Sequence, residues 1–171
     1  MPRSFDMAAD YDGTVEQVHG AFSDERYWLA RLTDSGADVY SLDSMIRDGT
    51  GGSDGLYIRT TQTLRADRLP GVVTQFHFGD LSFVREETWG PVNDGKAVAT
   101  VRGSIPGAPA GLSGTAVLSP RGSGSRLELT VEVEVRVPLV GGKIENFIGS
   151  QLVNLLIAEQ RFTTEWIAEN A

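Results

Sequence analysis

The stretch LSFVREETW (81–89) holds the side chains best placed to do chemistry. As a strand it puts Leu81, Phe83, Arg85, Glu87 and Trp89 on one face, and Ser82, Val84, Glu86 and Thr88 on the other. If Phe83 and Trp89 face an apolar interior, Arg85 and Glu87 go in with them. Buried charges must be paired, so the two either satisfy each other or grip a polar ligand head. A strand twisted enough to return both charges to solvent is the competing reading. Glu159 poses the same question from the far end of the sequence, because helical spacing places it beside Leu155, Phe162 and Trp166. It is either half of a structural ion pair with an arginine, or a carboxyl whose pKa burial raises, as a general acid requires.

The rest of the chemical inventory is short. His19 lies on a short helix among Val18, Gly20 and Ala21 and reads as a surface or capping residue. His77 sits between Phe76 and Phe78, either as a turn residue or as a polar group at a cavity mouth. Two histidines on separate elements, with no acid at ligand spacing, do not make a metal site. The absence of cysteine excludes disulfides, thiolate metal sites and cysteine nucleophiles. The glycine-rich GTGGSDG (49–55) joins two strands rather than opening a helix, so it reads as a hairpin and not as a phosphate loop. No G-x-S-x-G elbow occurs. No catalytic residue, metal or cofactor is assigned.

These residues need a scaffold, and the alternation supplies one. The chain opens with a strand in which Phe5, Met7 and Ala9 alternate with Ser4, Asp6 and Asp10. Thr14 and Gln17 form a capping box for a short helix, Ser23-Asp24 caps a second, and Gly36 ends it. Six strands follow, at about 37–48, 54–66, 81–92, 96–105, 111–119 and 125–137. In the last, Leu127, Leu129, Val131, Val133, Val135 and Val137 share a face opposite Arg126, Glu128, Glu132 and Glu134. This is the pattern of an antiparallel sheet with one covered side. A helix from about 142 to 168 then presents Ile144, Ile148, Leu152, Leu155, Leu156, Phe162 and Trp166 on one sector. Strand and helix each span about 40 Å, so the helix lies along the concave face of a curved sheet. RLPGVVTQFHFGD (68–80) breaks the strand pattern, with Pro70 suited to the first turn of a short helix.

At 171 residues and a formal net charge of −8, the chain reads as one soluble cytoplasmic domain spanning 1–171. The acidic balance argues against nucleic acid as a partner. No stretch suits a signal peptide or an integral membrane segment.

The order of strand, two short helices, six strands and long helix resembles the START-like (SRPBCC) superfamily, which includes the major birch pollen allergen, lipid-transfer domains and polyketide cyclases. The motifs VPLVGGKIE, LP (69–70), EETW (86–89) and EQRFTTEW are similar to an actinobacterial branch known only as a domain of unknown function. The resemblance implies an α+β helix-grip fold: a curved seven-stranded antiparallel sheet wrapped around a long C-terminal helix, with two short helices after the first strand. It also implies a cavity for an apolar ligand between sheet and helix, and no particular reaction.

Residues placed on the cavity are Phe83, Arg85, Glu87, Trp89, Val101 and Leu112 from the strands, and Ile148, Leu152, Leu155 and Glu159 from the helix. Phe76 and Phe78 are assigned to its mouth, with 68–80 as a gate. The small Ala97, Ala99, Gly103, Gly114 and Ala116 leave room, giving an expected cavity of several hundred Å³, about the size of known ligand sites. Three functions fit: a carrier of a lipid, polyketide-like or other apolar molecule; a cyclase or aromatase using Arg85, Glu87, Tyr57 or Glu159; or a protein-interaction domain with a collapsed cavity.

Overall fold

The computed structural model describes residues 2–48, 55–69, 71–74 and 79–170. The expected order of elements is borne out. Strand β1 (Arg3–Tyr11) leads into α1 (Val15–Phe22) and α2 (Glu25–Asp34). Strands β2 (Val39–Asp48) and β3 (Gly55–Leu64) follow, then a 3-10 turn (Ala66–Arg68) and the one-turn α3 (Gly71–Thr74). Strands β4 (Leu81–Trp89), β5 (Ala97–Ser104), β6 (Ala110–Arg121) and β7 (Gly124–Val135) complete the set. The long α4 (Gly141–Asn170) comes last.

The two short helices start where side chains can satisfy their free N–H groups. At α1, Thr14 accepts from the Gln17 backbone at 3.2 Å, and the Gln17 side chain takes the Thr14 N–H at 2.8 Å. At α2, the Asp24 carboxylate accepts from Arg26 N at 2.9 Å. Gly36, with φ of +80°, ends this pair in a conformation that costs a glycine little.

All seven strands form one antiparallel sheet in the order β1-β7-β6-β5-β4-β3-β2. β1 therefore lies beside the last strand, in the register Phe5↔Val131 and Met7↔Leu129. Along β7, Leu127, Val131, Val133 and Val135 are buried while Glu128, Glu132 and Glu134 are exposed, as the alternation requires. A bulge between Leu42 and Ser44 interrupts β2, a device that bends a strand.

Helix α4 lies over the buried face of this sheet. Gly149 lets it approach β1 closely, since a Cβ there would sit 2.3 Å from the Phe5 ring. Its first turns are tied down by Glu145, buried to 1 % exposure, whose carboxylate accepts the Val135 N–H at 2.9 Å and faces Arg3 at 3.6 Å. Among the described residues, no helix is long and apolar enough to cross a membrane.

The expected space is largely occupied. Ala97, Ala99 and Ala116 belong to the same buried cluster as Phe22, Tyr27, Trp28 and Trp89. Phe22 packs on Trp89 at 5.3 Å, and Tyr27 on Trp166 at 5.4 Å. A Cβ on Gly103 would fall 2.7 Å from the Phe83 ring. Gly114 serves a different end, because a Cβ there would lie 2.2 Å from the Thr130 carbonyl oxygen of the adjacent strand.

Candidate ligand site at a buried ion network

Arg85 and Glu87 do face inward from β4, as the alternation predicts. The strand places them between Phe83 and Trp89, and all four line a cavity under α4. Glu159 arrives from the opposite wall. Its two oxygens receive Nη1 and Nη2 of Arg85 at 3.0 Å each, the bidentate arrangement that suits a guanidinium. Arg85 Nε donates to Glu87 at 3.1 Å, and Trp89 Nε1 donates to the other Glu87 oxygen at 3.2 Å.

A fourth charge completes the group. Arg31 of α2 donates Nε to Glu159 at 3.1 Å and Nη1 to the Tyr27 hydroxyl at 3.2 Å, while Nη2 is in direct ion contact with Glu159. The Tyr27 hydroxyl meets Thr163 Oγ1 at 2.6 Å. The Arg31 guanidinium stacks over the Trp28 ring, 4.6 Å from its centre. Two arginines and two glutamates thus neutralise one another.

Burial alone would raise the Glu159 pKa, but the charges of Arg31 and Arg85 outweigh it and hold the carboxyl down at about 2, against an ordinary 4.5. Of the two readings of Glu159, the structure shows the ion pair with arginine and not the raised pKa: a carboxyl held by two guanidiniums stays ionised and is not suited to act as an acid near neutrality. Burial works against charge on Arg85 and Arg31 as well, yet the neighbouring carboxylates, Glu159 foremost, raise both pKa values. Burial pushes the hydroxyls of Tyr11 and Tyr27 upward, so both stay protonated.

Two small cavities meet at this group. The inner one, about 60 Å³, is lined by Phe83, Val101, Leu112, Leu129, Leu152 and Leu155 among others, with Arg31, Arg85, Glu87 and Glu159 at its polar end. The outer one, about 70 Å³, lies between α2, β3 and α4 and is lined by Asp34, Ser35, Thr60 and Gln62 together with Trp28 and Phe162. Arg31, Arg85, Leu155 and Glu159 border both. The ion group therefore borders both cavities.

The expectation of several hundred Å³ is corrected here, since the inner cavity of about 60 Å³ holds only a few water molecules. Aromatic rings fill the space that the alanines leave.

Of the residues assigned from sequence, Phe83, Arg85, Glu87, Trp89, Val101, Leu112, Leu152, Leu155 and Glu159 come together around the inner cavity. Ile148 packs instead with Val131, Val133 and Val135 beside that chamber. Tyr57 is on the outer face, donating to Glu86 at 3.0 Å, so it cannot serve a reaction inside. Phe76, His77 and Phe78, within the segment 68–80 assigned as the gate, lie outside the described residues. His19 is buried rather than superficial, its Nε2 bonded to the Gly90 carbonyl at 3.0 Å.

Sequence reasoning misses Arg31. The signal is present, because Tyr27, Trp28 and Arg31 lie three and four residues apart and share one helix face.

Residues 6–167 match the profile of a family described as a protein of unknown function, DUF2505. The chain belongs to this family. An uncharacterized protein of Mycobacterium tuberculosis strain H37Rv is 54% identical over 173 residues, covering 99% of both chains. The same identity and coverage hold for an uncharacterized protein of Mycobacterium bovis.

Among solved structures, the DUF2505 chain is similar to TTHA0849 from Thermus thermophilus, with a TM-score of 0.61 at 16% identity over 99% of each chain. It is also similar to norcoclaurine synthase from Thalictrum flavum, with a TM-score of 0.54 at 15% identity, covering 100% of this chain and 89% of that one. These likenesses establish the expected helix-grip fold. At such identities they carry the fold alone.

Proposed function

We propose that the chain binds an apolar small molecule between the sheet and α4, without catalysing a reaction, and that residues 1–171 act as one ligand-binding domain. The observation that carries this is an inner chamber with apolar walls and one neutral polar end, at which each buried side-chain nitrogen and oxygen among the described residues has at least one hydrogen-bond partner. A lipid or polyketide-like molecule fits the chemistry of those walls. The norcoclaurine synthase that shares the fold has been solved with dopamine and hydroxybenzaldehyde, which supports small-molecule binding at the level of the fold.

At about 60 Å³ the chamber is well below the ~300–1,000 Å³ of ordinary ligand sites, so binding requires side chains to move aside. Phe83, Leu152 and Leu155 suit that role, because they line the chamber and are only half-buried. Two of the groups lining the chamber are unsuited to proton transfer near neutral pH, since Glu159 is held ionised and Tyr11 protonated. The small volume favours one alternative, a domain that works through protein contacts.

Titration with N-phenyl-1-naphthylamine separates the two. Saturable one-to-one fluorescence enhancement, abolished by Val101→Trp in a variant that still melts cooperatively, supports ligand binding. A wild-type protein that gives no saturable signal supports the collapsed-cavity reading.

A further inference from the structure

The ion group also selects among ligands. We propose that the ligand is uncharged and carries a hydrogen-bond acceptor, such as an aryl ketone or a quinone carbonyl, which docks on Arg85 and Arg31 where the two cavities meet. This rests on the ligand-binding reading above and deepens it.

The donor count leads there. A guanidinium carries five N–H groups. On Arg85, Nε is used by Glu87 and one hydrogen each of Nη1 and Nη2 by Glu159. One hydrogen on each Nη then has no partner among the described residues. Arg31 repeats the pattern, with Nε and Nη2 directed to Glu159 and Nη1 to Tyr27. The carboxylate oxygens each accept at least one bond already. An oxygen with a spare lone pair is a small defect, whereas a buried N–H without an acceptor is a larger one. Each buried nitrogen of the group already has one partner, so what the site can still take is an acceptor for the remaining hydrogens.

Charge narrows the choice further. Arg31, Arg85, Glu87 and Glu159 sum to zero, so a neutral acceptor enters without unbalancing them. A fatty-acid carboxylate would leave one uncompensated negative charge in an enclosed site, within a chain of net charge −8. It would also compete with Glu159 for the paired N–H groups of Arg85. Position agrees as well: both arginines border the apolar chamber, so a ring or chain can lie against Val101, Leu112 and Leu129 while its oxygen reaches them.

Isothermal titration calorimetry with acetophenone, ethylbenzene and benzoate at pH 7 tests this with three probes of similar size. The expected result is acetophenone binding at least tenfold more tightly than either of the others. Arg85→Lys should then shrink the advantage of acetophenone over ethylbenzene below threefold. Ethylbenzene matching acetophenone, or benzoate binding tightest, overturns the inference and leaves the binding function standing. If none of the three binds, the binding function fails with it. Should Arg85→Lys fail to fold, the wild-type series decides alone.

Discussion

Glu159 on α4 holds Arg85 on β4 through both carboxylate oxygens, at 3.0 Å each, across 74 positions of sequence. This contact spans the space between helix and sheet, and Arg31 closes on the same carboxylate from α2. Three separate elements are joined at one residue. Only 16 % of the Glu159 side chain is exposed, so solvent screens the contact weakly.

Glu159→Gln leaves two enclosed guanidiniums without their shared counter-charge. Removing one partner of a buried ion pair costs about 3–5 kcal/mol, and the residual exposure puts this case at the lower end. A urea denaturation series should show a loss of about 3 kcal/mol with an unchanged slope. A loss below about 1 kcal/mol would mean that water already screens the group.

The same residue sets an acid limit. Its pKa is about 2 in the folded chain, below the ordinary 4.5. A depressed carboxyl contributes stability that is present above its unfolded pKa and lost as pH falls through the folded value. At about 1.4 kcal/mol per pH unit, the gap corresponds to about 3 kcal/mol. Wild-type stability should therefore fall between about pH 4.5 and pH 2 more steeply than that of Glu159→Gln. Asp24 and Asp38 are lowered as well and are present in both proteins, so the difference between the two curves isolates Glu159. Parallel curves would contradict the assignment.

Gly114→Ala should be severe. The added methyl would lie 2.2 Å from the Thr130 carbonyl oxygen, and backbone in a sheet ladder cannot yield cheaply. Strain of this kind costs about 2–4 kcal/mol. Gly103→Ala meets the far edge of the Phe83 ring and should cost less, because a side chain moves more easily than a strand. Thermal melts of the two variants order them. Equal melting temperatures would show that β6 and β7 can separate locally.

How far these features are legible in the sequence depends on range. The alternation of β7 and the length of α4 follow from local periodicity, and both match the structure within one to two residues. The inward placement of Arg85 and Glu87 follows from the same rule. Cavity volume does not, because it depends on which distant rings enter the space beside Ala99 and Ala116. Gly114 reads as room in the sequence, but its neighbour is a backbone oxygen on the next strand, which only the register β6–β7 brings there. Glu145 gives no signal at all, since its partners are a strand N–H and an arginine at the opposite end of the chain.

Leu139 offers a gain. It is fully exposed and has φ of +72°, a conformation that costs a leucine about 1–2 kcal/mol and returns no burial. Leu139→Asn should raise the melting temperature by about 2–4 °C, the shift that about 1 kcal/mol gives in a chain of this size. A drop would show that the leucine makes a contact in solution.

The most direct test of ligand binding inside the chamber is a methyl-detected NMR titration with acetophenone. Binding between sheet and helix predicts saturable shifts at Val101, Leu112, Leu129, Leu152 and Leu155, with the exposed methyls of Ile46, Val98 and Ile157 unmoved. Shifts confined to Ile46, Val98 and Ile157, with the chamber methyls still, would contradict it.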